Sequence, residues 1–310
     1  MKKILFSLIF AILIKYASAQ GCSDAGLCTA GGLKPIFFTN DSLKSSLNFS
    51  LNFSIGENGT NIITPQFEPL VKVNENSFIQ FKIPYLIING NLGSSKGISD
   101  VSINYNYKFD SLIKYKLYLT CGVKIASGSA SLKTDGICLP MTYQTSMGTT
   151  DFLGGLSLEI AKGLSVSLGL QVPMFNINQN KFDSAAFLYF KNEKKINDNQ
   201  NYFISSKLKR KSDVMMRIDK TFAFKKNNIS IGILPIYHLG KDKVNTTSLN
   251  NVLLSGSQGL TLNFNTSLNY KISDKSAVNF ILAFPLITRK SRPDGLGRSI
   301  VTGISYKYVL

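Results

Sequence analysis

One histidine and no tryptophan occur in the 310 residues, cysteine appears four times, and 18 acids face 35 bases. His238 stands alone, and no cysteines or histidines recur at metal-ligand spacing. Neither a metal nor a cofactor is therefore expected. Past the N-terminal segment there is also no apolar run of the roughly 20 residues that a transmembrane helix needs. A membrane protein of the helical kind is thereby excluded.

The N-terminus reads as an export signal over residues 1–19. Lys2 and Lys3 precede an apolar stretch from Ile4 to Ile14, and Ala17-Ser18-Ala19 has the small-x-small form of a cleavage site. Lipidation at Cys22 is the weaker reading, because Ala19-Gln20-Gly21 lacks the usual leucine. Cleavage would remove three lysines and no acids, lowering the net charge from +17 to +14. Export makes nucleic acid an inaccessible partner despite this surplus. Clusters such as Lys194-Lys195 and Lys207, Lys209, Arg210 and Lys211 instead suit the phosphates of an outer-leaflet glycolipid. A solvated basic loop is the plainer alternative.

What the chain does contain is long alternation. Val101, Ile103, Tyr105, Tyr107 and Phe109 share one face, with Ser102, Asn104, Asn106 and Lys108 on the other. Leu260 to Ile272 alternates against Thr261, Asn263, Asn265, Ser267, Asn269 and Lys271; Ile113 to Ile125 does so against Lys114, Lys116, Tyr118, Thr120 and Lys124. A period of two marks a strand with one apolar and one polar face. Strands in soluble domains usually end after about 5–6 residues, whereas membrane strands need about 9–11. The predicted strands are 46–55, 62–73, 77–87, 98–109, 112–126, 150–161, 164–174, 212–224, 227–239, 257–272, 275–287 and 297–310. Pro65, Pro69 and Pro84 make the second and third the weakest.

Linker length alternates too. Tight links fall near Asp110-Ser111, Lys162-Gly163, Lys225-Lys226 and Ser273-Lys275, and long polar ones span 127–149, 175–210 and 240–256. Outer-membrane barrels alternate in this way, with tight periplasmic turns and long extracellular loops. Ile304, Tyr306, Tyr308 and Leu310 alternate to the C-terminus, where closure on the first strand would satisfy the edge. The expected fold is all-β: a transmembrane antiparallel barrel of about twelve strands over residues 45–310, in the bacterial outer membrane. Tyr189, Lys194 and Lys195 would face outside, and Asp110, Lys225 and Asp274 the periplasm. Expected partners are outer-membrane lipid and glycolipid, the barrel-assembly machinery during biogenesis, and protein partners in an outer-membrane complex.

This register assigns the lumen nine bases (Lys72, Lys82, Lys108, Lys114, Lys116, Lys124, Arg217, Lys271, Lys307) and four acids (Glu68, Glu159, Asp213, Asp219), with Asn263 and Asn265 beside them. Such a balance favours anions in any open path. Four cysteines in an exported chain imply two disulfides with three possible pairings. Proximity favours Cys22–Cys28 and Cys121–Cys138, the latter needing a bulge near Gly122 because Cys121 lies on the apolar face. Residues 20–44, glycine-rich and cysteine-paired, would form a plug or a periplasmic tail before the first strand. His238 invites a Ser–His pair like that of outer-membrane phospholipases, but the serine- and asparagine-rich context is missing. An interfacial histidine at a strand end is the better reading, and no enzyme is expected.

Ile83-Pro84-Tyr85 followed by Gly97-Ile98-Ser99-Asp100-Val101, and Leu139-Pro140 followed by Gly148-Thr149-Thr150-Asp151-Phe152, carry a further resemblance. This punctuation, a proline and then Gly-x-x-Asp opening a strand, resembles the phenol meta-pathway family of outer-membrane transporters, near the FadL-like channels. The cysteine-bearing start, Gly21 to Cys28, resembles exported barrels of Bacteroidetes-type bacteria. The Asn-Pro-Ala plug motif of true fatty-acid channels is absent. The resemblance implies passive transport of small, hydrophobic or anionic molecules. The rival reading is a non-conducting accessory barrel of a secretion or assembly complex.

Overall fold

A computed structural model describes residues 44–109, 115–160, 163–194, 196 and 202–310. The first wall strands are β1 (Ser46–Gly56), β2 (Asn61–Lys72) and β3 (Ser77–Gly90). They are followed by β4 (Gly93–Ile98), β5 (Val101–Phe109) and β6 (Lys116–Ile125). A loop hairpin of β7 (Lys133–Thr134) and β8 (Ile137–Cys138) precedes β9 (Thr149–Ile160) and β10 (Leu164–Asn176). Helix α1 (Ser184–Glu193) lies in the next loop, before β11 (Asp213–Ala223) and β12 (Asn227–His238). A second small hairpin, β13 (Lys243–Val244) with β14 (Val252–Leu253), leads to β15 (Gly259–Lys271), β16 (Ser276–Ile287) and β17 (Arg298–Val309).

The wall closes. Every neighbour pair is antiparallel, and β17 lies against β1 from Ser46↔Val309 to Ile55↔Ile300. β4 and β5 pair with the upper and lower halves of β3, so they act as one strand interrupted at Ser99-Asp100, and the wall has twelve staves. All twelve sequence-predicted strands are present within a few residues of their expected ends. Closure removes the hydrogen-bonding edge that an open sheet would expose.

The faces are inverted relative to a soluble protein. Leu119, Leu156, Leu168, Phe280 and Ile304 point out and are exposed, while Asn104, Asn106, Lys124, Asp151 and Asp213 point in and are buried. Only lipid as the outer solvent reconciles an apolar exterior with a polar interior. Among the described residues no helix is long and apolar enough to cross a membrane, so strands alone do so.

The strand prolines are accommodated without an edge. β2 pairs with β1 continuously from Asn61 to Leu70, but on its β3 side the register skips Thr64–Pro65 and Glu68–Pro69. Pro84 sits where β4 gives way to β5, and the β11 partners of Leu234-Pro235 are skipped likewise. Each missing N–H thus faces an interrupted ladder while the opposite side stays paired.

The expected Cys121–Cys138 disulfide is not formed. Cys121 faces outward and exposed on β6, and Cys138 is buried inside the mouth among the loops; both are free thiols. The barrel wall separates them. No bulge occurs at Gly122 either, since the registers with β5 and β9 run through it unbroken. Asn104 fills the space over this glycine: an added Cβ would lie 2.2 Å from its Oδ1 and 2.6 Å from the Ile103 carbonyl oxygen. Cys22 and Cys28, the signal segment 1–19 and the 20–44 plug segment (Lys44 apart) lie outside the described residues.

Candidate functional site

The links at one mouth are short, and both chain ends of the barrel lie there; the long links gather at the other, beside the short β1–β2 and β3–β4 turns. Lys225 and Asp274 lie at the first, Tyr189 and Lys194 at the second, and Lys195 and Asp110 are outside the described residues. From the first mouth a cavity of about 410 Å³ runs inward to Asn52, Leu234, Asn263 and Val301.

Seven of the expected lumen residues, Glu68, Lys82, Arg217, Asn263, Asn265, Lys271 and Lys307, line this cavity. Asp219 is buried beside it, paired with Arg217 Nε at 2.5 Å and accepting from Asn265 Nδ2 at 2.9 Å. Lys108, Lys116 and Glu159 occupy inward positions nearer the turns but not on the cavity, Lys116 and Glu159 as cross-strand partners. Lys114 is outside the described residues. Gln66 and Gln80, which also line the cavity, carry no charge and gave no signal beyond alternation. The buried Gln80 Oε1 and Asn263 Nδ2 have no protein partner among the described residues. Buried polar atoms of this kind require water or a polar solute beside them.

Beyond the cavity lies a buried ionic layer. Lys124 is held between Asp151 at 2.9 Å and Asp100 at 3.3 Å. Arg210 pairs with Asp213 and with Asp294, whose Oδ2 also accepts from Arg289 at 2.6 Å. His238 bridges two carboxylates, Asp213 through Nδ1 at 2.5 Å and Asp242 through Nε2 at 2.8 Å. Carboxylates accept only, so an imidazole bonded to them at both nitrogens donates from both and is charged. Arg292 meets Glu57 at 2.7 Å and lies over the Phe203 ring, and Arg298 caps the Gly295 and Gly297 carbonyls.

Two expectations change here. His238 is not interfacial: alternation along β12 turns it inward, where it is 1% exposed. Both its nitrogens are engaged by acids rather than by a serine, so no Ser–His pair forms. Arg210 is not a glycolipid contact either; it is buried, its neighbours Lys209 and Lys211 remaining exposed.

Long loops cover the ionic layer. Leu139 and Tyr143 from the β6–β9 link pack with Phe182, Phe190, Ile196 and Tyr202 from the β10–β11 link. Met141, Met147, Leu208, Val244 and Leu296 form a second apolar cluster drawn from four links. Like the small β7–β8 and β13–β14 hairpins, α1 has no forerunner in the sequence pattern. Asp183 caps it by accepting from Ala186 N, and it buries Ala186 and Phe190. Its ten residues are too short to advertise a helical period against a polar background. The strap 288–297 crosses beneath. At its turn, Gly295 has φ +64° and a Cβ there would meet Thr142 N at 2.2 Å, so only glycine fits.

Charge holds this strap. Burial alone would raise the pKa of Asp294, but Arg289 and Arg210 outweigh it and keep the carboxyl well below its usual 3.8. A depressed folded-state pKa contributes closure that is complete above pH 3.8 and lost as pH falls through the lower folded value. Glu57 has the opposite sign, because burial outweighs Arg292 and raises its pKa above 4.5. Titration from neutral pH should therefore first raise the thermal stability of the loop layer, as Glu57 takes up its proton above pH 4.5, and then lower it below pH 3.8 as Asp294 is protonated. Asp294→Asn should abolish that acid step.

No family model and no curated protein matches the chain. Among solved structures, the COG4313 outer membrane channel from Pseudomonas putida F1 superposes with TM-score 0.59 at 11% identity, over 89% of this chain and 100% of that one. The NanC porin gives 0.49 at 6% identity, over 86% and 100%. The KdgM porin in complex with oligogalacturonate gives 0.44 at 10%, over 86% and 99%. The first of these likenesses and the inverted faces agree on the architecture: a closed twelve-stranded β-barrel of the bacterial outer membrane.

Proposed function

We propose that the barrel passively conducts small polar solutes, anions in preference to cations, and that its loop layer is the gate on the extracellular side. The observation that carries this reading is the charge of the cavity wall. Lys82, Arg217, Lys271 and Lys307 line it, Lys225, Lys226 and Lys275 ring its mouth, and three acids oppose these seven bases: Glu68 and Asp274 on the wall, and Asp219 beside it, paired with Arg217. Field lines from a like-signed, low-dielectric cleft raise the local concentration of the opposite ion. The unfilled Gln80 and Asn263 atoms favour a polar cargo over the hydrophobic compounds that the sequence resemblance implies. Long loops on barrels of this kind are extracellular, and with that orientation the basic cavity opens to the periplasm.

Reconstituted in a planar bilayer under a KCl gradient, the barrel should give small currents whose reversal potential has the sign of chloride permeation. Lys225→Glu with Lys226→Glu should move that potential toward potassium. A cation-selective current in the unsubstituted protein would refute the anion preference. Silence with the strap removed would instead favour the accessory-barrel reading.

A further inference from the structure

We propose that the buried pair Arg210 and Arg289 is a carboxylate-binding site, occupied by the chain's own Asp294, which the carboxylate of a small anionic solute displaces on its way through. The inference rests on the conduction reading and names the solute class for it.

The two guanidinium groups come from different links, the one before β11 and the one after β16, and converge on a single oxygen, Asp294 Oδ2. Their side chains are 3% and 1% exposed. Four of the other acids of the layer have at least one donor on a wall strand, Lys124 for Asp100 among them, and the fifth, Glu57, is held by Arg292 of the strap. Asp213 and Asp242 share His238, Asp242 also accepts from Lys211 N, and Asp151 has Lys124 and Gln171. Asp294 instead sits on the strap, outside any strand, in the turn that Gly295 closes back on Arg292. Neither of its two arginine donors belongs to a strand, so its departure asks little of the wall.

Arg289 also has capacity to spare. Its Nε–H is buried and finds no partner among the described residues, while its outer nitrogens reach Ser257 O at 2.7 Å, Asp294 and, at 3.8 Å, the Asp242 carboxylate. Arginine binds a carboxylate best through two parallel N–H groups. A carboxylate freed from a backbone tether can use Nε as well, so an exchanging solute gains a bond that Asp294 does not make. At the arginine pair the exchange is neutral in charge, with the displaced Asp294 carrying its own charge outward on the strap. Lys124, Arg210, Arg289, Arg292, Arg298 and the charged His238 face six acids (Glu57, Asp100, Asp151, Asp213, Asp242 and Asp294), and one monocarboxylate replaces one aspartate. Access is short, since a single inward-facing residue of β12, Ile236, separates the cavity-lining Leu234 from His238.

The test uses the full-length barrel. Asp294→Ala leaves a hole the size of a carboxylate, and it should lower the melting temperature by several degrees. Formate should recover at least half of that loss, saturably and in the millimolar range, whereas formamide should not. Asp294→Asn fills the hole without charge and should not respond to formate. Adding Arg289→Gln to Asp294→Ala should abolish the recovery. In planar bilayers Asp294→Ala should pass several-fold more anion current than the unsubstituted barrel, and formate should reduce that current with the same midpoint. Equal responses to formate and formamide, or a response that survives Arg289→Gln, would overturn the site. Anion current in Asp294→Ala with no formate effect on melting would also overturn it and leave the transport reading standing. Formate-dependent melting without current in any variant would keep the site and overturn transport.

Discussion

Lys124→Ala should lower the unfolding free energy by about 3–5 kcal/mol, the cost of removing one partner from a buried ion pair. The side chain is 2% exposed and lies between Asp100 and Asp151. Without it two buried carboxylates face each other across the mouth with Gln171 as the nearest remaining donor to Asp151. Most of the loss comes from those stranded charges rather than from the attraction removed. Adding Asp100→Asn and Asp151→Asn to a Lys124→Met background should therefore recover much of the stability. Urea unfolding in lipid vesicles measures both. A loss under about 1 kcal/mol for Lys124→Ala would mean that water reaches the layer and screens it.

Leu119→Lys and Lys116→Leu should differ sharply although they lie three residues apart on the same strand. Leu119 faces lipid near the middle of β6 and is exposed, while Lys116 faces the lumen. A lysine at a lipid-facing midplane position costs roughly 2–4 kcal/mol. Removing an inward charge near the turns leaves the wall's packing intact and should cost less than about 1 kcal/mol, altering ion preference instead. Unfolding midpoints in a bilayer decide it; equal costs would show that the outer face of β6 meets water.

The two effects locate different parts of the design. The wall is stabilised by lipid outside and by a continuous antiparallel ladder, and it tolerates changes of inward charge. The mouth depends on charges from the β1–β2 turn, strand ends and links, so single substitutions there act on the closure of the passage. Acid release of Asp294, loss of Lys124 and exchange at Arg289 all bear on that one layer.

The sequence by itself determined the wall: the twelve strands, their inward and outward faces, the closure of the last strand on the first, and the gathering of the long links at one mouth. Each depends on a period of two against a lipid exterior, which is a local rule readable over about ten residues. It also placed Arg217, Asn263, Asn265 and Lys271 in the lumen. Only the tertiary structure decided what fills the mouth. Arg210 looked like one more surface base until it met Asp294, 84 positions away, and Arg292 finds Glu57 across 235. His238 looked interfacial until Asp242 folded back over it, and Cys121 and Cys138 looked like partners until the wall came between them. Loop residues have no period to betray their direction; their partners are set by how the barrel's circumference brings distant links to one end.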